Sequence, residues 1–248
     1  MSGIGTIFRR ELAGLFLGPL AWVILCIGLF SSGYFFVLGL AGTGGDVQQA
    51  LSLSLGGGWP FWAVLIVVPP LLTMRMISEE ARSGVLEFLL TAPVSDLAVI
   101  VGKLLAAVFF MAVLLSGVLF HGLLLGLFGV TPDWGALSLG YLGAVLASAL
   151  FCALGLVFSA ATQTPLLAAF LAFVANVALL TLPLAAEFFG SPPGGALRVA
   201  LRQFDVVLHY QGSFLRGVLD TSHAVFFLAW TAFFTFLATR FLEARRWR

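Results

Sequence analysis

Apolar residues run almost unbroken through six stretches of the chain: Pro19 to Leu40, Trp59 to Ile77, Leu104 to Phe128, Ser138 to Ala161, Pro165 to Ala186 and His223 to Leu242. A helix needs about 20 apolar residues to cross roughly 30 Å of hydrocarbon, so each stretch predicts a transmembrane helix. Pro19, Pro60 and Pro165 stand near the starts, where a missing N–H does no harm. "GTGGD", "TPDWG" and "SPPGG" are breaker-rich connections. "TQTP" leaves room only for a tight hairpin. The pattern predicts an all-α integral membrane protein with one transmembrane domain over 1–248. Its main connections are 78–103 on one side and 187–222 on the other.

The basic residues set an orientation. With the N-terminus inside, the inner segments hold nine: Arg9, Arg10, Arg75, Arg82, Lys103, Arg240, Arg245, Arg246 and Arg248. The outer segments hold three: Arg198, Arg202 and Arg216. That asymmetry predicts both termini in the cytoplasm. The first run is longer than a signal-peptide core and has no convincing cleavage site, so it reads as a retained helix. Ahead of it, Ile4, Ile7, Phe8, Leu12 and Leu15 recur at helical spacing around Arg9, Arg10 and Glu11. That spacing predicts a short helix lying in the inner interface.

Composition agrees with this picture. The 248 residues are 61% hydrophobic with a mean hydropathy of +1.11, more than a soluble core could bury. A net charge of +1 leaves no basic footprint for nucleic acid. Cys26 and Cys152 lie inside apolar runs and read as packing thiols.

Only 9% of the chain is charged, yet Glu79, Glu80, Arg82, Glu87, Asp96 and Lys103 gather in "ISEEARSGVLEFLLTAPVSDLAVIVGK". Ser78 reads as an N-cap, with Glu79 and Glu80 in the first turn and Glu79 one turn from Arg82. Pro93 stops this helix, and Ser95 caps another that carries Lys103 into the third span. Acids do little for orientation, so a plain solvated loop does not account for four of them. A docking surface for a cytoplasmic partner does.

The same stretch resembles the signature of ABC type-2 transporter permeases. It is closest to the branch of the gliding-motility permease and the copper-processing permease of nitrous oxide reductase clusters. The matching positions are Glu79, Glu80, Arg82, Ser83, Gly84, Glu87, Thr91, Pro93, Val94, Gly102 and Lys103. Val85 stands where that family usually has Thr. "FRRELAGLFLGPLAWV" and "SFLRGVLD" resemble the family's opening and close. The resemblance implies a coupling segment between the second and third spans that docks on separate ATPase subunits. Ser78, Glu79, Glu80, Arg82, Ser83, Gly84, Glu87, Thr91, Pro93, Asp96 and Lys103 would form it. The resemblance also implies a second permease subunit, identical or similar, in a bacterial inner membrane.

Between the fifth and sixth spans, Ala200, Leu201, Phe204, Val207 and Leu208 form an apolar stripe, and Arg198, Arg202, Asp205 and His209 a polar one. That predicts a helix at the outer interface or folded back into the bundle. The resemblance makes this region, with Arg216 and Asp220, an outer gate of short re-entrant helices.

No phosphate-binding loop is present, since Gly102-Lys103 lacks the rest of the motif; the lysine reads as a snorkelling side chain at the start of its span. The chain is thus expected to be no enzyme and to bind no cofactor, with ATP and Mg on its partner. His121 and Asn176 are intramembrane polar groups that read either as functional sites or as packing. Scarce polar groups in the spans fit a lipid-linked, amphipathic or polymeric substrate, or mechanical work on a partner, which leaves room for membrane lipid and a periplasmic protein as further partners. The alternative is an ATP-independent secondary transporter or scaffold. It would call for an internal repeat and mid-membrane charges, neither of which is visible.

Overall fold

In the computed structural model, residues 2–84, 94–188 and 195–246 are described. Helix α1 spans Ser2–Leu17, α2 Pro19–Gly42, α3 Val47–Ser52, α4 Trp59–Thr73 and α5 Ser78–Arg82. Then follow α6 (Asp96–Leu127), α7 (Trp134–Ala161), α8 (Pro165–Phe188), α9 (Ala196–Arg202), α10 (Val206–Gly212) and α11 (Thr221–Arg246). No strand occurs among the described residues. Six helical stretches are long and apolar enough to cross a membrane; four contain the corresponding run read from sequence, and the third and fifth end one residue short of theirs, at Leu127 and Ala185.

Local chemistry sets the helix starts. Asp46, Ser95, Asp133 and Asp205 each accept a backbone N–H from the first turn of α3, α6, α7 and α10. Helix α7 is the hub, packing against α4, α6, α8 and α11. Its inward face is small: Gly140, Gly143, Ala144, Ala147, Gly155 and Ala160 are all buried. Small residues let helices approach closely where no hydrophobic force drives them together. At Gly155 a Cβ would lie 2.3 Å from Thr73 Oγ1 on α4.

Helix α4 contains Pro69 and Pro70. Neither has an N–H, so the carbonyls of Leu65 and Ile66 lose their intrahelical donors. Asn176 of α8, itself fully buried, donates through Nδ2 to the Ile66 carbonyl at 3.4 Å. Asn176 therefore joins helices by mending a proline break. His121 stacks on Phe36 of α2, centroids 5.0 Å apart.

Two segments fold back at the end of the bundle opposite the termini. One is α3 with the π turn Leu53–Gly57, within a stretch that sequence assigned to a simple connection. The other is the continuation through α10 and the 3-10 turn Phe214–Arg216. Tyr210 and Phe214 are fully buried. The Tyr210 hydroxyl faces the carbonyls of Leu55 and Gly140, and Gln211 Nε2 donates to the Gly56 carbonyl at 2.8 Å. Phe214 lies over Gly143, where a Cβ would come within 2.5 Å of its ring.

Candidate functional site

At the end carrying both termini, the chain leaves α4 at Thr73 and turns into α5. Ser159 of α7 holds that corner. Its Oγ accepts the N–H groups of Ile77 and Ser78, both at 3.2 Å, and donates to the Met74 carbonyl at 3.2 Å. Ser78 is fully buried and donates to the Met74 carbonyl. It is therefore not the N-cap that its position in the sequence predicts. Ile77 occupies the cap position without a side-chain cap, and Ser159 of the neighbouring helix satisfies two of the N–H groups at the start of α5.

Lys103 is fully buried. Its Nζ donates to Glu11 Oε1 at 2.9 Å and to the Met76 carbonyl at 2.6 Å. Glu80 Oε2 lies 2.9 Å from the same nitrogen, an ion pair without hydrogen-bond geometry. Arg10 spans the two acids from outside, 2.6 Å from Glu11 and 2.7 Å from Glu80. Two cations and two carboxylates thus close a neutral cluster joining α1, α5 and α6. Lys103 does not snorkel to water, because acceptors from α1 and the α4–α5 corner meet it inside. The preceding Gly102 makes this possible: a Cβ there would fall 2.8 Å from Ile7 Cγ2, so only glycine lets α1 cross α6 this closely.

The acids of the motif therefore part company. Glu80 is turned into the cluster, its side chain 18% exposed. Glu79 remains outside at 57% and pairs at 3.6 Å with Arg75, one turn before it, rather than with Arg82. Arg82 and Ser83 are exposed. Gly84 has φ +77°, a left-handed conformation that ends α5 and that glycine adopts without strain. Asp96 sits in the first turn of α6, where a negative charge is favoured. Glu87, Thr91 and Pro93 lie outside the described residues. Arg245 completes this end by donating to the carbonyls of Ala160 and Thr162, both at 2.7 Å, at the end of α7. Sequence reasoning missed Glu11, Arg10, Ser159 and Arg245 as partners, since each acts across a long separation.

At the opposite end the expected single polar stripe is broken. Arg202 closes α9, while Asp205 caps α10 by accepting from Leu208 N at 2.9 Å. A helix that restarts at its own cap cannot continue the face of the previous one. Arg202, Arg216 and Asp220 are exposed, and the side chain of Arg198 lies outside the described residues. Asp220 caps the next turn through Ser222, and those hydrogen bonds hold its carboxyl below the usual range. His209 meets His223 of α11. No group of three or more metal-ligating residues occurs among the described residues.

A family model described as ABC-2 family transporter protein matches residues 54–241, well over half of the chain. A search of curated proteins gave no match.

Proposed function

The chain belongs to the ABC-2 transporter family, as the membrane-spanning permease component, and from that premise we propose that α5 and the exposed residues beside it receive a separate ATPase subunit. The observation that supports this most is the two-sidedness of α5. Its inner side is tied to α7 through Ser159 and to α1 and α6 through Lys103. Its outer side presents Glu79, Arg82 and Ser83. Force applied to that outer side would pass into four helices together, because the corner of α4 is pinned to the same cluster. Such a corner is suited to coupling nucleotide-driven motion to the spans.

In this reading two permease subunits pair, and ATP and Mg are held by the ATPases. Helices α2 and α8 fit the pairing: only 17% of the apolar window of each is buried, against 72% for α7. Both termini and α5 face the cytoplasm of a bacterial cell, from the nine-to-three basic asymmetry. The substrate reading is export of an amphipathic or lipid-linked molecule, or mechanical work on a partner. A cavity of about 420 Å3 among α2, α4 and α6, lined by Ile24, Phe35, Val64 and Leu114, has the apolar character an acyl chain requires.

Reversing the two exposed charges, Glu79→Lys with Arg82→Glu, preserves net charge and leaves the Lys103 cluster intact. Losing charge-assisted contacts at about 1.5 kcal/mol or more predicts at least a tenfold loss of ATPase retention in mild detergent. Membrane insertion and melting temperature should be unchanged. Retention equal to wild type would remove this surface from the docking role.

A further inference from the structure

His209 on α10 and His223 on α11 face each other with Nδ1 atoms 2.6 Å apart. Their remaining nitrogens are directed at acceptors. His209 Nε2 lies 3.2 Å from the Gln203 carbonyl, and His223 Nε2 lies 3.9 Å from Asp220 Oδ2. Phe226 stacks on His209 with centroids 4.0 Å apart, which fixes the ring plane.

The proton arrangement follows from these contacts. The Gln203 carbonyl can only accept, so His209 carries its proton on Nε2 and presents a bare Nδ1. A nitrogen at 2.6 Å must then be a donor, so His223 carries a proton on Nδ1. A second proton on His223 would sit at Nε2, on the side of Asp220, and would leave the bridging N–H in place. A second proton on His209 would have to sit at Nδ1, against the N–H of His223. The pair therefore accommodates protons on one side only.

We propose that the His209–His223 bridge is a pH-sensitive latch that holds the α10 segment to α11 and opens when His209 takes up its second proton. The charged groups facing it are Asp205 on its own helix and Asp220 in the turn before α11, with Gln203 presenting only a carbonyl. Burial pushes His209 below the usual imidazole range. Charge on His223 adds to that, against the opposing effects of the Gln203 carbonyl and Asp205. The sign follows: a depressed imidazole pKa gives stability that is complete above the unfolded value near ~6.5 and is lost as pH falls through the folded value. Acid should thus release α10, while neutral and alkaline pH keep it seated. This holds whether or not α5 docks an ATPase.

The test is amide hydrogen exchange on the full chain in lipid nanodiscs at pH 7.5 and pH 5, corrected for intrinsic rates. Protection over 206–212 should fall about tenfold at pH 5 in the wild type and be independent of pH in His209→Gln. Should that variant fail to fold, imidazole nitrogen NMR of the wild type gives the answer: His209 should be the neutral Nε2–H tautomer at pH 7.5. Equal wild-type protection at both pH values would overturn the latch, as would the opposite tautomer. So would micromolar Zn2+ that strengthens protection at pH 7.5 and requires both histidines, since the pair would then be a metal site.

Discussion

Lys103→Met is expected to lower the stability of the folded permease by about 3–5 kcal/mol, because it leaves two partly buried carboxylates with Arg10 as their one remaining cation. The side chain it removes is 0% exposed and its partners Glu11 and Glu80 are 14% and 18% exposed, so solvent cannot replace it. Arg10 stays, but it reaches the acids from the exposed side and cannot serve the Met76 carbonyl, which Lys103 meets at 2.6 Å. For a chain of this size the loss corresponds to a fall in melting temperature on the order of 10 °C. The triple variant Lys103→Met, Glu11→Gln, Glu80→Gln removes the stranded charges and should recover half of the loss or more. Thermal unfolding in detergent measures both. A single variant as stable as wild type, or a triple variant no better than the single, would show that the cluster is not what holds α1 to α6. Reversing Glu80 alone belongs with this experiment rather than with docking, since it would place a cation against Lys103 and Arg10.

Gly56→Ala should be nearly as damaging at the other end. Gly56 has φ +119°, and a Cβ there would lie 2.4 Å from Tyr210 Cε1. Left-handed backbone costs a non-glycine residue about 1–2 kcal/mol, and overpacking about 1–3 more. Tyr210 cannot swing aside cheaply, because it is fully buried between Phe61 and Phe214 with its hydroxyl engaged. The expected loss is about 2–5 kcal/mol, seen as a lower melting temperature. Trp62 fluorescence should change with it, since its Nε1 donates to the Gly56 carbonyl at 3.0 Å. Adding Tyr210→Ala relieves the clash but not the backbone strain. The double variant should therefore keep the strain component and lose the steric one. Unchanged melting in Gly56→Ala would mean that the π turn does not seat the returning α10 segment.

The spans were legible because a bilayer imposes one length and one polarity on each, and both can be counted along the chain. The observed helices run past the apolar limits where a cap dictates it. Ser95 starts α6 eight residues before Leu104, and Ser95 was readable as a cap. Pairings were less legible. Spacing in sequence offered Arg82 to Glu79 and water to Lys103, whereas the fold gives Arg75 to Glu79 and Glu11 to Lys103. Short spacing reports only neighbours on one helix. A buried lysine is matched by whatever the packing brings, here a residue from the first helix. Two local signals were available and undervalued. Asp46, three residues before Gln49, marks the start of α3 inside the "GTGGD" connection, and Asp205 marks the break that divides the polar stripe. Both are caps, and caps outweigh periodicity over segments of seven residues or fewer.

The most direct test of the coupling surface is site-specific photo-crosslinking in the native membrane. A photoreactive residue is placed at Ser83, exposed beside α5, or at Ser222, exposed at the opposite end. The predicted result is capture, through Ser83 and not through Ser222, of a polypeptide that carries a Walker phosphate-binding motif. Capture of that ATPase through Ser222, or its absence from the Ser83 products while other proteins crosslink there, would contradict the account.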